Sequence, residues 1–240
     1  MKPMAWMLAG VLGAASGMAA GETDDAKQVF SLASPAVVTV RTEDGQGVAE
    51  GQGSGVVVAP ERVVTNCHVI ESAPVIRVFS GDKGLPAIWL RRNAVQDLCL
   101  LQVDGLGAVP ARLRQGPVPK VGEPVFAVGN PLGFGLAVSA GLVAAAEQTQ
   151  PHPYLVSTAP QSPGSSGGGL FDREGRLVGV TRAILGTGQN LNMAVSAAGV
   201  AGLLAGGEAA PAPVLMPAPE KRWLPEAETL IRSEDWGALE

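Results

Sequence analysis

Between about residues 28 and 205, hydrophobic positions cluster in short runs that are rich in β-branched residues and are separated by glycine, proline and asparagine. Helical periodicity is scarce in this stretch. Many short strands at close spacing predict an antiparallel barrel or sandwich, so the expected fold class is all-β. The runs are AVVTV, SGVVVA, RVVTN, VIRVF, LCLLQV, PVFAVG, RLVGVTRA and NMAVS.

A proline-rich segment, Gln115–Lys120, falls near the middle of this β-rich stretch. Because proline and glycine favour connections over strands, the segment predicts a division into two units. We expect an N-terminal barrel over residues 28–114 and a C-terminal barrel over residues 121–205. Residues 206–240 begin as an Ala/Pro-rich stretch typical of an extended linker and end in a tail with the pattern of one short amphipathic helix.

The first 20 residues have the pattern of a secretory signal peptide. Lys2 precedes a short apolar stretch that ends in small residues, and cleavage is expected after Ala19 or Ala20. The alternative is an uncleaved membrane anchor, but the run is interrupted by glycine and serine and is short for a span of about 20 strongly apolar residues. We therefore expect an exported protein, periplasmic or secreted, with no stable membrane insertion after signal cleavage.

Composition and charge limit the function classes. Of the 240 residues, 46% are hydrophobic and 16% are charged, so the chain can bury the core of one large domain or two small ones. The formal net charge is -5, and lysine and arginine cluster only as the pairs Arg91–Arg92 and Lys221–Arg222. This distribution provides no basic surface for nucleic acid, which we do not expect as a partner. We also expect no cofactor and no metal.

A candidate nucleophile lies in the glycine-rich string PGSSGGGL, Pro163–Leu170. Glycines on both sides of Ser166 permit a tight turn that exposes the hydroxyl and directs backbone N–H groups to one spot. A serine hydroxyl is a poor nucleophile unless a base takes its proton and a third group holds that base. The sequence contains two histidines; His68, at the end of a strand-like run, is a better base than His152, which lies between prolines.

Three serine-hydrolase architectures can use a glycine-flanked serine, and chain order separates them. The α/β-hydrolase order places the histidine after the serine, and no histidine follows Ser166. The subtilisin order would use Asp44, but it requires a parallel α/β sheet with long helical crossovers, which the sequence does not show. The order His68, Asp97 and Ser166 remains. Taken singly, each of these residues also has a structural interpretation, as a half-buried histidine, a strand-start cap or a turn serine.

Four strings resemble the HtrA (Deg) branch of the chymotrypsin-fold proteases in order and spacing. They are GQGSGVVVAPERVVTNCHVI (51–70), QDLCLLQV (96–103), VGEPVFAVGNPLGFGLAVSAGLVAA (121–145) and SPGSSGGGLFDREGRLVGVTRAI (162–184). The resemblance implies a chymotrypsin-like fold of two six-stranded antiparallel β-barrels with the catalytic cleft between them. It assigns the general base to His68, the orienting acid to Asp97 and the nucleophile to Ser166. It also implies an oxyanion hole formed by the N–H groups of Gly164 and Ser166.

Two features depart from the usual family pattern. HtrA proteases usually carry PDZ domains of about 90 residues each after the protease, and about 35 residues follow Ala205 here. We therefore expect a protease domain without a PDZ domain. The connection from Thr42 to Gly51 is short, so we expect a plain hairpin rather than a long regulatory loop.

The sequence gives little support for a trimer. The segment Gly21–Ser34 offers only Phe30 as an aromatic residue, so the trimer common in the family is not expected and the oligomeric state stays open.

The two cysteines flank the candidate base and acid. Cys67 precedes His68, and Cys99 lies two residues after Asp97. If His68 and Asp97 meet across the first barrel, strand alternation brings the two sulfur atoms close. Because export supplies an oxidising compartment, we predict a Cys67–Cys99 disulfide bond. The alternative is a pair of small buried thiols that fill core space.

The resemblance also assigns a primary specificity pocket. An arginine or lysine side chain of a substrate would need a buried acid in this pocket, and none is present. We therefore expect cleavage after small or medium aliphatic residues such as valine, alanine or leucine. Arg182 interrupts the uncharged wall; it either points toward Asp97 or into the cleft, or it is a solvated strand residue. The pocket residues are Pro160 at the base and Thr181, Ala183, Asn192 and Ala194 in the walls.

Two function hypotheses of different classes follow. The first is a serine endopeptidase that hydrolyses peptide bonds in exported, unfolded proteins through an acyl-enzyme on Ser166. The second is a non-cleaving peptide-binding module or holdase that uses the same cleft. The three catalytic residue types in the family's order favour the enzyme, whose partners would be polypeptide substrates.

Overall fold

The computed structural model describes residues 18–147, 154–182, 191–206 and 208–209. Two antiparallel β-structures make up most of this part of the chain: an eight-stranded sheet and a six-stranded closed barrel. The predicted all-β class is therefore confirmed, and each of the eight β-branched runs lies in a strand. The signal-peptide segment up to residue 17 and most of the predicted C-terminal tail lie outside the described residues.

The eight-stranded sheet contains seven strands of the N-terminal half and one short C-terminal strand. The strands are β1 (Val37–Glu43), β2 (Ala49–Ala59), β3 (Arg62–Asn66), β4 (Val75–Ser80), β5 (Lys83–Pro86), β6 (Ile88–Asn93), β7 (Leu98–Gln102) and β14 (Glu208–Ala209). Their order across the sheet is β14-β6-β7-β3-β2-β1-β4-β5. Side chains alternate between the two faces of each strand, so Val38 and Val40 share the face of β1 that packs against Val57 and Leu101.

The six-stranded barrel closes on itself. Its strands are β8 (Pro124–Gly129), β9 (Ala137–Glu147), β10 (Tyr154–Ser157), β11 (Gly169–Phe171), β12 (Leu177–Arg182) and β13 (Asn192–Ser196). They follow one another around the barrel in the order β10-β13-β12-β11-β8-β9. Leu155, Leu170 and Val178 are buried inside it. Closure leaves no free strand edge in this barrel.

The described residues contain the helices α1 (Met18–Ala33), α2 (Cys67–Ile70) and α3 (Ala197–Ala205), together with 3₁₀ turns at Ser34–Ala36 and Pro131–Gly133. Helices α1 and α3 pack where the two β-structures meet. One buried cluster joins Val29 of α1, Leu98 of the sheet, Phe126 and Phe171 of the barrel and Val200 of α3. This shared core docks the two β-structures on each other. No helix in the described ranges is long and apolar enough to span a membrane.

Three details differ from the prediction. Residues 28–33, assigned to the first barrel, belong to α1, because Val29 and Ala33 lie one helical turn apart and are both buried in the shared core. The first β-structure is an eight-stranded sheet rather than a six-stranded barrel. Glu208–Ala209, from the segment predicted as a linker, pairs with β6 at its Arg91–Arg92 pair.

Candidate active site

The strand register of the first sheet brings His68 and Asp97 together. Strands β3 and β7 pair with Asn66 opposite Leu98, so β3 ends where β7 begins. His68 is the second residue of α2, which directly follows β3, and Asp97 directly precedes β7. The predicted base and its predicted acid therefore leave the same end of one sheet.

Asp97 binds His68 through both of its carboxylate oxygens. His68 Nδ1 lies 2.6 Å from Asp97 Oδ2, and the His68 backbone N–H donates to Asp97 Oδ1 at 3.0 Å. Asp97 is 7% exposed, whereas the His68 side chain is 42% exposed and lines a cleft. A buried carboxylate at Nδ1 favours the imidazole tautomer whose Nε2 can accept a proton.

The backbone of Asp97 adopts the left-handed conformation, with φ of 56°. Its carbonyl oxygen accepts hydrogen bonds from Asn66 Nδ2 at 3.0 Å and the Cys67 N–H at 3.1 Å, which hold this uncommon conformation. Burial is the largest single influence on the carboxyl group and raises its pKa. The hydrogen bonds from His68 and the charges of His68 and Arg182 outweigh burial, so the pKa of Asp97 lies below its ordinary value.

A disulfide bond joins the residues that flank this pair. The sulfur atoms of Cys67 and Cys99 are 2.05 Å apart, and both cysteines are buried. Cys67 begins the helix that carries His68, and Cys99 lies in β7 two residues after Asp97. The disulfide predicted from export and strand alternation is therefore confirmed.

Ser166 lies in the loop between β10 and β11 of the closed barrel. Two glycines in left-handed conformations shape this loop, Gly164 with φ of 92° and Gly167 with φ of 83°. A Cβ atom at Gly164 would lie 2.7 Å from a backbone oxygen of the neighbouring loop, and one at Gly167 would collide with the carbonyl oxygen of Ser54. Ser166 is 7% exposed and lines the same cleft as His68.

The carbonyl groups before Gly164 and Ser166 are both held away from the cleft. The carbonyl that precedes Gly164 accepts the Leu132 N–H at 2.9 Å, and the one that precedes Ser166 accepts the Thr181 hydroxyl at 2.7 Å. Because the carbonyl and the N–H of a trans peptide point in opposite directions, the N–H groups of Gly164 and Ser166 are turned away from these partners. Neither N–H group has an acceptor among the described residues.

Ser54 on β2 holds the nucleophile loop from the other half of the molecule. Its N–H donates to the Ser166 carbonyl at 2.8 Å, and its Oγ donates to the Gly164 carbonyl at 2.7 Å. Ser54 Oγ also accepts the Asn130 N–H at 2.9 Å, so the fully buried hydroxyl is satisfied in both directions. Sequence patterns did not identify Ser54, because it precedes its partner Gly164 by 110 positions.

His68, Gly164 and Ser166 line one cleft of about 560 Å³. Within the described residues, no hydrogen bond joins Ser166 Oγ to His68; in serine hydrolases this contact is often long without substrate and shortens when substrate binds. No group of three or more histidine, cysteine, aspartate or glutamate side chains in the described chain is placed to hold a metal ion. The lining includes His68, Gln161, Gly164, Ser166, Arg182 and Asn192, and no acidic residue of the described chain.

The residues predicted to form the specificity pocket do not share one cavity. Asn192 lines the cleft, whereas Pro160 and Thr181 line a separate cavity of about 210 Å³. Ala194 is fully buried in the barrel core. Ala183 lies outside the described residues.

Two polar residues of the cleft add to the predicted set. Arg182 Nε lies 3.0 Å from Asp97 Oδ2, so of the alternatives considered for Arg182 the structure shows the one that points toward Asp97. Gln161 also lines the cleft, and both polar atoms of its amide are buried without a hydrogen-bond partner among the described residues.

The comparisons with known proteins place the chain in a family. Residues 53–180, a little over half of the chain, match the family described as "Trypsin-like peptidase domain". The matched range includes His68, Asp97 and Ser166.

Two curated relatives are similar to the middle of the chain. A protein of Pseudomonas savastanoi pv. phaseolicola named "Probable periplasmic serine endoprotease DegP-like" is 34% identical over 147 residues, which are 59% of this chain and 31% of that protein. A protein of the same name from Ectopseudomonas mendocina is 36% identical over 145 residues, 58% of this chain and 31% of that protein. The chain thus spans about a third (31%) of the length of these relatives.

Solved protease structures share the fold. The Rv3671c protease from M. tuberculosis in its active form has a TM-score of 0.70 and 26% identity, covering 88% of this chain and 95% of that one. The serine endoprotease from Yersinia pestis has a TM-score of 0.68 and 26% identity, covering 75% and 65%. The HtrA-type protease AlgW with a tripeptide also has a TM-score of 0.68 and 26% identity, covering 75% and 62%. The predicted chymotrypsin-like fold and the HtrA resemblance are confirmed.

Proposed function

Because this chain belongs to the trypsin-like peptidase domain family, we propose that it is a serine endopeptidase with His68, Asp97 and Ser166 as its catalytic residues. The observation that carries the proposal is the 2.6 Å contact between His68 Nδ1 and Asp97 Oδ2, next to the cleft that Ser166 also lines. A serine nucleophile requires this arrangement of a base and an orienting acid.

In the first half of the proposed reaction, Ser166 Oγ attacks the scissile carbonyl carbon while its proton moves to His68 Nε2. Asp97 stays ionised and stabilises the imidazolium that forms, in keeping with its lowered pKa. The carbonyl oxygen becomes an oxyanion, and the N–H groups of Gly164 and Ser166, which have no acceptor among the described residues, donate to it. The tetrahedral intermediate collapses when His68 gives its proton to the leaving amine.

The second half of the reaction hydrolyses the acyl-enzyme on Ser166. His68 takes a proton from water, and the water oxygen attacks the ester carbonyl. The same N–H groups stabilise the second oxyanion. Collapse of this intermediate releases the new carboxyl terminus and returns the proton from His68 to Ser166 Oγ.

We further propose that the enzyme is exported, periplasmic or secreted, and that it cuts unfolded exported polypeptides. The signal-like pattern of the first 20 residues supports export, and the two curated relatives carry "periplasmic" in their names. The described cleft lining contains no carboxylate to pair with a substrate lysine or arginine. Cleavage after small or medium aliphatic residues is therefore proposed.

Turnover of unfolded casein by the purified protein tests this proposal. The Ser166→Ala variant should lose several orders of magnitude in kcat, because the nucleophile is removed. Ser80→Ala, on β4 of the first sheet, is the matched control and should cut casein like the wild type. Activity of Ser166→Ala within about tenfold of wild type would overturn the catalytic assignment. Wild-type protein that binds casein without cutting it would favour the binding module or holdase.

Mass spectrometry of the same casein digests tests the proposed specificity. Most cuts should follow valine, alanine, leucine or similar residues. A majority of cuts after arginine or lysine would contradict the proposal that the pocket offers no carboxylate to such a side chain.

A further inference from the structure

We infer that Arg182 is a positioning residue of this active site. Its guanidinium, on a strand of the closed barrel, holds the Asp97 carboxylate of the first sheet and thereby aligns the His68–Asp97 pair with Ser166. The inference rests on the proposed serine endopeptidase function. Arg182 lines the cleft, and its side chain contacts the acid Asp97.

The contact itself is placed where it can orient the acid. Arg182 Nε lies 3.0 Å from Asp97 Oδ2, the oxygen that also contacts His68 Nδ1 at 2.6 Å. The other oxygen, Oδ1, accepts the His68 backbone N–H at 3.0 Å. Asp97 Oδ2 therefore accepts from two side chains: His68 of the first sheet and Arg182 of the closed barrel.

The strand that carries Arg182 also holds the nucleophile loop. Thr181 donates its hydroxyl to the Ser165 carbonyl at 2.7 Å, and the Thr181 carbonyl accepts the Gly167 N–H at 2.9 Å. Successive side chains of a strand point to opposite faces, so Thr181 faces the nucleophile loop while Arg182 faces Asp97. Two consecutive residues at the end of β12 thus fix the acid and the nucleophile loop relative to each other.

The alignment matters because the catalytic groups come from separate β-structures. His68 and Asp97 belong to the first sheet, and Ser166 belongs to the second barrel. A misplacement of about 1 Å between reacting groups can lower the rate by about 100-fold. The Arg182–Asp97 pair is a direct charged link between the acid and the barrel that carries Ser166, and it is only partly solvated because the Arg182 side chain is 33% exposed.

Arg182 also adds a permanent positive charge beside the base. Besides His68 and Asp97, the charged side chains that line the cavity behind this pair are those of Glu71, Arg92 and Arg182. Arg92 is itself paired with Glu208, since Arg92 Nε lies 3.2 Å from Glu208 Oε2. The charge of Arg182 is one cause of the lowered pKa of Asp97 and helps to keep the acid ionised beside His68.

The test measures kcat and KM on an uncharged peptide substrate for Arg182→Gln and Arg182→Lys. Arg182→Gln should lower kcat by about 10- to 100-fold with KM within about threefold, because orientation rather than binding is lost. Arg182→Lys, which keeps the charge and can still contact Asp97, should lose less of kcat.

Arg77→Gln is the matched control. Arg77 Nε contacts Glu43 Oε2 at the same 3.0 Å, and its side chain is 42% exposed on a strand of the first sheet. This variant should leave kcat and KM unchanged. Equal losses in Arg77→Gln and Arg182→Gln would show a general effect of removing an ion pair and would overturn the inference.

A fluorophosphonate that labels reactive serines separates the inference from the proposed function. Wild-type protein that neither labels at Ser166 nor cuts substrate would overturn the proposed function itself. Labelled, active wild type with an Arg182→Gln variant of equal kcat would overturn only the role of Arg182. A change confined to KM for acidic substrates would assign Arg182 to substrate binding and would also overturn it. If Arg182→Gln fails to fold, Arg182→Lys decides: a lowered kcat at unchanged KM supports the inference, and a kcat equal to that of the wild type overturns it.

Discussion

The two β-structures hold their catalytic groups by different means. In the first sheet, His68 and Asp97 leave neighbouring strands and are joined by two carboxylate contacts and by the disulfide that flanks them. In the closed barrel, Ser166 lies in a glycine-shaped loop whose carbonyl groups are held by Ser54 of the other half. The base and acid are thus joined to each other within one sheet, whereas two carbonyl groups of the nucleophile loop are held by a residue of the other half.

This difference predicts which half of the active site is more sensitive to structural change. A perturbation of the interface should displace the nucleophile loop and its N–H groups first, while the histidine and aspartate keep their contact. A perturbation inside the first sheet should instead cost stability before it costs activity, because several independent contacts hold the same pair.

Gly167→Ala should have the largest effect of the structural substitutions. A Cβ at this position would collide with the Ser54 carbonyl and the Thr65 hydroxyl, both from the first sheet, and φ is 83°. We expect a loss of about 1,000-fold or more in kcat/KM and a destabilisation of about 3 kcal/mol or more. Peptide hydrolysis and urea denaturation measure the two effects.

Gly122→Ala separates the collision from the cost of the backbone conformation. Gly122 has nearly the same φ, 87°, and nothing lies within 4 Å of a Cβ placed there. Its substitution should cost about 1–2 kcal/mol and leave kcat/KM close to wild type. Equal effects of the two substitutions would mean that the left-handed backbone, rather than the contact with the first sheet, sets the sensitivity of Gly167.

Ser54→Ala should have the next largest effect. The variant loses the hydroxyl that donates to the Gly164 carbonyl and accepts the Asn130 N–H, so two buried backbone groups lose a partner. We expect kcat to fall by about 10- to 100-fold with little change in KM, because the loop carries the oxyanion donors. Ser139→Ala is the control, since that hydroxyl also donates to a backbone carbonyl, of Pro160 at 2.6 Å, but is exposed. A Ser54→Ala variant with wild-type kcat would show that the loop holds its shape without the first sheet.

The strand pattern of the sequence predicted most of the fold, and the exceptions have a physical cause. Runs rich in β-branched residues, such as those in β2 and β3, were identified because burial and strand propensity coincide there. The strand Ala137–Glu147 consists largely of alanine, glycine and serine and carries little strand signal of its own. It is a strand because it pairs with β8 on one side and β10 on the other, which is a tertiary effect.

The active site shows the same limit. Chain order and residue type identified His68, Asp97 and Ser166, because the chemistry requires those side chains. Ser54 was not identified by any local pattern, and the contact of Arg182 with Asp97 was one of several alternatives left open, since each contact joins segments that are distant in sequence. The pocket residues inferred from the resemblance are spread over the cleft, a second cavity and the barrel core, because cavity shape depends on packing around the whole barrel.

Removal of the disulfide should separate stability from activity in the first sheet. The cysteines are 32 positions apart, and closing a loop of that length stabilises the folded state by about 3–4 kcal/mol. The double variant Cys67→Ala/Cys99→Ala should lose about that much in urea denaturation. Its kcat should stay within about tenfold of wild type at a temperature where it is folded, because the carboxylate contacts of His68 remain. A folded double variant without activity would show that the disulfide itself sets the geometry of the base.

The smallest expected effect is on the pH dependence of the free energy of unfolding. Asp97, next to the first sheet, and Glu123, next to the closed barrel, are carboxylates whose pKa is lowered. In Asp97 burial raises the pKa, and the contacts with His68 and Arg182 outweigh it; in Glu123 the hydrogen bond from Arg114 lowers the pKa most. A carboxylate whose pKa is lower in the folded state stabilises the protein above its unfolded pKa, about 4, and this stabilisation is lost as the pH falls through the folded pKa.

Asp97→Asn and Glu123→Gln should therefore both be less stable than wild type at neutral pH, and both differences should shrink as the pH falls below about 4. Asparagine tolerates the left-handed backbone of position 97, so the substitution removes mainly the charge. The difference should be larger for Asp97→Asn, because Asp97 is 7% exposed whereas the Glu123 side chain is 33% exposed and more strongly screened by solvent. Urea denaturation midpoints from neutral pH to below about pH 3 measure both series. Equal, pH-independent losses in the two variants would show that neither carboxylate stabilises its half through its charge.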